Sequence, residues 1–139
     1  MRIVGGKYRG RVLAAFNGKE VRPTSGRAKE ALFNILAPEI SGANVLDLFC
    51  GTGGIGLEAL SRGAACAHLF ERDRGALAAL SENAKALKLS AAAARIHRCD
   101  IFKNPPLDVR PPFDLVFLDP PYADGAADGL GLVAPLAQE

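Results

Sequence analysis

A chain of 139 residues, 49% apolar and 23% charged, is long enough to bury one core and too short for two. That composition excludes a disordered chain, and no apolar run approaches the roughly 20 residues a membrane helix needs, so no membrane association is expected. The net charge of +2 is unevenly spread: eight Lys or Arg against Glu20 and Glu30 give residues 1–30 a balance of +6, leaving −4 for the other 109. A basic amino-terminal block on a mildly acidic body reads as a footprint for a polyanion, most simply nucleic acid, with a merely solvated surface as the alternative. The amino terminus lacks the apolar core of a signal peptide. Cys50, Cys66 and Cys99 are odd in number and form no Cys-x-x-Cys pair, so we expect a reduced, cytoplasmic protein without disulfides, zinc or other metal.

In chain order, apolar runs at 2–4 and 11–16 around Gly5-Gly6-Lys7-Tyr8-Arg9-Gly10-Arg11 predict a β-hairpin with a basic, glycine-rich tip. Ala28, Ala31, Leu32, Ile35 and Leu36 then recur at helical spacing, with Thr24 or Ser25 as N-cap and Pro38 just past the end. Residues 1–40 are thus read as a basic hairpin and helix packed on a core of residues 41–139. From Asn44 strands and helices alternate: Val45 to Phe49, a helix from Ile55 to Arg62 closed by Gly63, then Ala67 to Phe70. A helix opened by Asp73 follows, with Leu77, Leu80, Ala84 and Leu87 on one face, and then strands Arg95 to Cys99 and Phe113 to Leu118. This order predicts an α/β fold with a doubly wound, mostly parallel, Rossmann-like sheet. Runs such as Leu115-Val116-Phe117-Leu118 are apolar on both faces, as strands covered by helices on both sides should be. Residues 91–94 read as a helix end or loop, and four central strands are countable.

Gly51, Gly53 and Gly56 satisfy G-x-G-x-x-G where the first strand turns into a helix, behind Asp47 and Phe49. Such glycines allow close approach of backbone to a ligand, and the helix start offers free N–H groups to an anion. Glu71 ends the second strand, 20 residues after Gly51, where a carboxylate can accept both hydroxyls of a ribose; pairing with Arg72 or Arg74 is the structural alternative. Asp100 ends the third strand ahead of Ile101 and Phe102, a carboxylate for an adenine amino group with an apolar wall for its ring, or else a loop or N-cap Asp. A nicotinamide cofactor and S-adenosylmethionine fit these features equally.

Asp119-Pro120-Pro121-Tyr122 separates the two. It follows the fourth strand, beside the first in a doubly wound order and so next to the glycine loop. The amino nitrogen of a base is a poor nucleophile because its lone pair is delocalised into the ring. The Asp119 carboxylate and the Pro120 carbonyl can accept its two protons and turn the lone pair towards a methyl group, while the prolines hold both acceptors aimed. Tyr122 can stack on the base once it leaves its helix. Cys50 is expected to be a packed residue of the loop, and His68 and His97 to be structural.

At this point the chain resembles the bacterial methyltransferases of the RsmD type, which modify a guanine N2 in 16S ribosomal RNA. The likeness runs through Arg2-Ile3-Val4-Gly5-Gly6-Lys7-Tyr8-Arg9-Gly10-Arg11, Arg22-Pro23-Thr24-Ser25-Gly26-Arg27 and Glu30-Ala31-Leu32-Phe33-Asn34 to Tyr122. The resemblance implies that Asp47, Phe49, Gly51, Gly53, Glu71, Asp100 and Ile101 bind S-adenosylmethionine, with Thr24 close to the cofactor or the RNA. It implies that Asp119, Pro120 and Tyr122 receive the base. Lys7, Arg9, Arg11, Arg22 and Arg27 would hold RNA, as part of 16S ribosomal RNA or an assembling small subunit. The family continues through further elements to an antiparallel hairpin, so its C-terminal strands are expected to be missing from this chain. Two rivals are methylation of adenine N6 or of glutamine N5 in a protein, and a truncated domain that binds RNA or cofactor without turnover. Asp119, where those other amino methylations commonly place Asn, and the basic hairpin argue against the first.

Overall fold

The computed structural model describes residues 1–16, 25–105 and 112–120. Four parallel strands form its sheet: β1 (Asn44–Asp47), β2 (Cys66–Glu71), β3 (Ala94–Arg98) and β4 (Leu115–Phe117), in the order β3-β2-β1-β4. Helices α1 (Gly26–Ile40), α2 (Gly54–Ser61) and α3 (Arg74–Ala86) complete the described elements. Asp47 lies opposite Leu69 on one side and Phe117 on the other, so the strands deliver their C-terminal ends to a single edge. The order reverses between β1 and β4, which is the switch point where open α/β sheets hold ligands.

The predicted helix starts are found where the side chains can cap. Ser25 Oγ accepts from Ala28 N (3.1 Å) and Asp73 Oδ1 from Ala76 N (2.9 Å), each satisfying an otherwise orphaned donor. Pro38 corrects the expected end of α1: the helix runs through it to Ile40. Proline removes one hydrogen bond, yet Ile40 is buried in the main core, and that burial holds the last turn in place. The strands differ from expectation by one or two residues at their ends, and residues 91–93 form a turn into β3.

Ile3, Leu13, Phe33, Val45, Leu57, Leu69 and Leu80 are among the residues that fill the main core, where each fully buried large side chain contributes roughly 1.5 to 3 kcal/mol. A second cluster of Leu46, Leu48, Phe70 and Ile101 lies under Phe49, Phe113 and Leu118. The two histidines join neighbouring strands, with rings stacked 5.3 Å apart and nitrogens 3.1 Å apart, and His97 also stacks on Phe70. Burial, helped by His97 and Arg95, holds His68 below its ordinary pKa. Both faces of β4 were expected to be covered, but among the described residues Val116 is 44% exposed.

The amino-terminal segment doubles back as expected, with one antiparallel bridge between Arg2 and Val12 and with Ile3 and Leu13 turned into the core. Gly6 serves docking. A Cβ on Gly6, at φ 80°, would stand 2.0 Å from the Ser61 carbonyl, so only glycine lets Lys7 N reach that oxygen at 2.7 Å. Beneath this contact Glu58, 0% exposed, accepts from Val4 N and Gly5 N (both 2.9 Å) and from Arg62 (2.9 Å), and pairs with Lys29 at 3.2 Å. Lys29 is itself 1% exposed and donates to the Arg2 carbonyl. One of the eight cations of the basic block is therefore consumed inside the fold.

Candidate active site

Because all four strands are parallel, the carboxylates that end them share one edge, in the spatial order Asp100, Glu71, Asp47, Asp119. The glycine loop lies among them. Gly51 (φ 57°) and Gly53 (φ 97°) are left-handed, as a sharp strand-to-helix turn requires. Three ties hold the loop: Cys50 N donates to the Phe70 carbonyl (3.0 Å), Gly51 N to Glu71 Oε2 (2.9 Å), and Asn83 Nδ2 to the Thr52 carbonyl (3.0 Å). Asn83 also accepts from Ala14 N and donates to its carbonyl, so a single buried amide joins the loop, α3 and the outgoing arm of the hairpin. Neither Asn83 nor Glu58 stood out in the sequence. Asn83 was one polar residue in an amphipathic helix, and Glu58 one in a run of helix formers.

The other glycines of the motif have partners inside the fold. A Cβ at Gly53 would meet Leu80 Cδ1 at 2.5 Å and Leu57 Cδ1 at 2.8 Å, and one at Gly56 would meet Leu69 Cδ2 at 2.1 Å. A valine at Gly53 would therefore injure the core before it touched a ligand. Cys50 is packed as expected, and burial, with Asp47 and Glu71 beside it, pushes its thiol well above the ordinary range.

Glu71 engages the loop itself: one oxygen takes Gly51 N, and the other takes Arg72 N (2.8 Å) and Asp73 N (3.0 Å). Asp100 accepts from Phe102 N (3.0 Å) and pairs with Arg72 at 3.5 Å, so the loop-aspartate role foreseen as its alternative is present. Phe49 and Phe102 meet with ring centroids 5.6 Å apart, and Ile101, 2% exposed, packs in the second cluster beside them.

Asp47 differs from its neighbours. It is 4% exposed, and its Oδ2 has no hydrogen-bond partner. Burial, with Asp119 and Glu71 adding repulsion, raises its pKa to about 7 against the pull of backbone N–H groups at Phe49 and Gly56. Asp119 stands exposed after β4, and Pro120 beside it is buried.

Tyr122, Pro121, Thr24 and Arg22 lie outside the described residues. Lys7, Arg9, Arg11 and Arg27 are all exposed. The hairpin tip is not brought to the carboxylates. Lys7 docks at the end of α2 away from the glycine loop, a helix about 12 Å long at 1.5 Å per residue, and Arg11 donates to the Ala86 carbonyl at the end of α3 (2.7 Å). Arg11 therefore has a structural partner as well as its proposed one.

A parallel sheet with a glycine loop at its switch point and an acidic residue ending each strand defines a doubly wound domain of the methyltransferase type. The chain belongs to the family described as conserved hypothetical protein 95, whose profile matches residues 1–135. It is 42% identical over 125 residues to ribosomal RNA small subunit methyltransferase D of Haemophilus influenzae, covering 88% of this chain and 64% of that protein. The chain thus spans under two thirds of that relative's length. Among solved structures it is similar to a putative methyltransferase, yhhF, from Escherichia coli, with TM-score 0.80 and 39% identity over 96% of this chain and 71% of the other. It is also similar to a 16S rRNA N2 G1207 methyltransferase of T. thermophilus solved with AdoMet and guanosine, with TM-score 0.67 and 27% identity over 96% and 37%.

Proposed function

We propose that this chain binds S-adenosylmethionine and methylates ribosomal RNA, the target being the exocyclic N2 of a guanine in 16S RNA, free or in an assembling small subunit. The observation that carries the reading is the position of Asp119-Pro120 at the end of β4, next to Asp47 and the glycine loop across the switch point. The family relationship to a ribosomal RNA methyltransferase and the likeness to an N2 enzyme solved with AdoMet and guanosine support it.

The residues present fit the cofactor. The start of α2 suits its polar end, Glu71 and Asp100 its sugar and base, Phe49 and Ile101 its ring, and the unpartnered oxygen of Asp47 a cationic group. Thr24 is assigned to the same ligand or the RNA by resemblance. Bound S-adenosylmethionine supplies an electrophilic methyl group. Asp119 and the Pro120 carbonyl accept hydrogen bonds from the two N–H groups of the target amino group, which localises the nitrogen lone pair, and Tyr122 stacks on the base. Lys7, Arg9, Arg11, Arg22 and Arg27 hold phosphates, and the tip cations grip RNA at a distance from the methylated base.

The test is methyl transfer to 16S RNA and to small subunits, with the methylated nucleotide mapped. Asp119→Ala should lower the rate on the order of 100-fold or more while leaving cofactor affinity nearly intact. A parent rate in that variant refutes the mechanism, and a methylated adenine or protein glutamine refutes the substrate. Cofactor or RNA binding without any transfer by the parent chain would favour a binding domain instead.

A further inference from the structure

Among the described residues, Asp47 Oδ2 is the one buried side-chain polar atom without a hydrogen-bond partner. Among the described residues, the charged groups that shift it are of its own sign. β2 presents Glu71 and β4 leads into Asp119, and the neighbouring Cys50 thiol carries no positive charge. From α2 it receives the backbone N–H of Gly56; the titratable side chain of that helix, Glu58, is spent on Lys29 and Arg62. A buried carboxylate in this setting is stable as the neutral acid, or as the anion once a cation arrives. Glu71 and Asp119 place negative charge beside the glycine loop, and Asp47 joins them once ionised, so a ligand of net charge +1 is favoured there over a neutral one of the same shape.

Resting on the reading that S-adenosylmethionine is the methyl donor, we propose that Asp47 is a charge-selecting residue of the cofactor site. It gives up a proton to solvent when the sulfonium ligand enters, and it favours that ligand over the neutral thioether left after transfer. The proton balance is simple: the acid form plus the cationic ligand becomes carboxylate plus bound cation, with one proton released to the buffer. Loss of the methyl group removes the compensating charge and loosens the product. Because burial pushes the Asp47 carboxyl up to about 7, the exchange falls in an accessible range.

Titration calorimetry on the 139-residue chain tests this, using S-adenosylmethionine and S-adenosylhomocysteine in buffers of different ionisation enthalpy. The range is pH 5.5 to 7, below that in which a ligand α-amino group titrates. Binding of S-adenosylmethionine should release close to one proton at pH 5.5 and about half a proton at pH 7, and its affinity should rise about fifteenfold across the range. S-adenosylhomocysteine should release less and gain less than about threefold in affinity. Asp47→Asn should make the affinity of both ligands nearly independent of pH and narrow the gap between them. Equal proton release for both ligands, or none for either, overturns the proposal and leaves the methyl-donor reading intact. The wild-type titration decides this even if the variant fails to fold. Binding of neither ligand at any pH overturns the cofactor reading and this proposal with it.

Discussion

Two buried carboxylates flank the glycine loop, one in the strand before it and one in the helix after it, and they have opposite surroundings. Glu58 receives two backbone N–H groups, Arg62 and Lys29. Burial alone would raise its pKa, but these partners outweigh burial and hold it below its ordinary value. Asp47 is almost as deeply buried, keeps one oxygen without a partner, and is raised to about 7. A charge whose partners all come from the fold belongs to the architecture. A charge left unsatisfied inside the fold marks the place where something else is meant to bind.

The largest expected effect breaks the satisfied side. Glu58→Ala leaves Lys29 and Arg62 with like charges and no acid between them and strands the Val4 and Gly5 N–H groups. Urea unfolding at pH 7 should show a loss of about 3 to 5 kcal/mol. Glu58 is lowered in the folded state, so its contribution is present above its unfolded pKa and is lost as pH falls through the folded value. Wild type and variant should therefore converge in acid.

A smaller effect of opposite sign sharpens the contrast. Asp47 is raised, so between its unfolded value near 3.8 and about 7 the folded state holds a proton that the unfolded state has lost, and its contribution to stability falls as pH rises. Without ligand, Asp47→Asn should be more stable than wild type by about 1 to 3 kcal/mol at pH 8, with the gain vanishing near pH 4. A destabilised variant at pH 8 would place Asp47 with Glu58 as a structural residue. Smallest of the three, Lys29→Met should cost about 1 kcal/mol in the same unfolding assay, because Glu58 keeps Arg62 and both N–H groups while the apolar stem of the lysine is replaced in kind. A loss matching that of Glu58→Ala would make Lys29 the essential partner.

Alternation of apolar strands with capped helices was enough to predict the parallel sheet, a cap at Thr24 or Ser25 and one at Asp73, and the placing of Glu71, Asp100 and Asp119 at strand ends, whereas Asp47, expected inside a strand reaching Phe49, in fact ends β1. These are local properties, set by side-chain periodicity and by donors that need partners within a few residues. What escaped the sequence depends on contacts across the chain. Nothing local distinguishes Lys29 from the exposed cations near it, and its burial follows from docking of the hairpin on α2 more than 50 residues from Gly5. The same docking carries the basic tip to the far end of α2, and the burial of Ile40 carries α1 through Pro38. The family resemblance singled out Asp47 as an expected cofactor residue. Only the packed fold decided that its second oxygen would have no partner, because satisfaction of a buried polar atom depends on every element that closes around it.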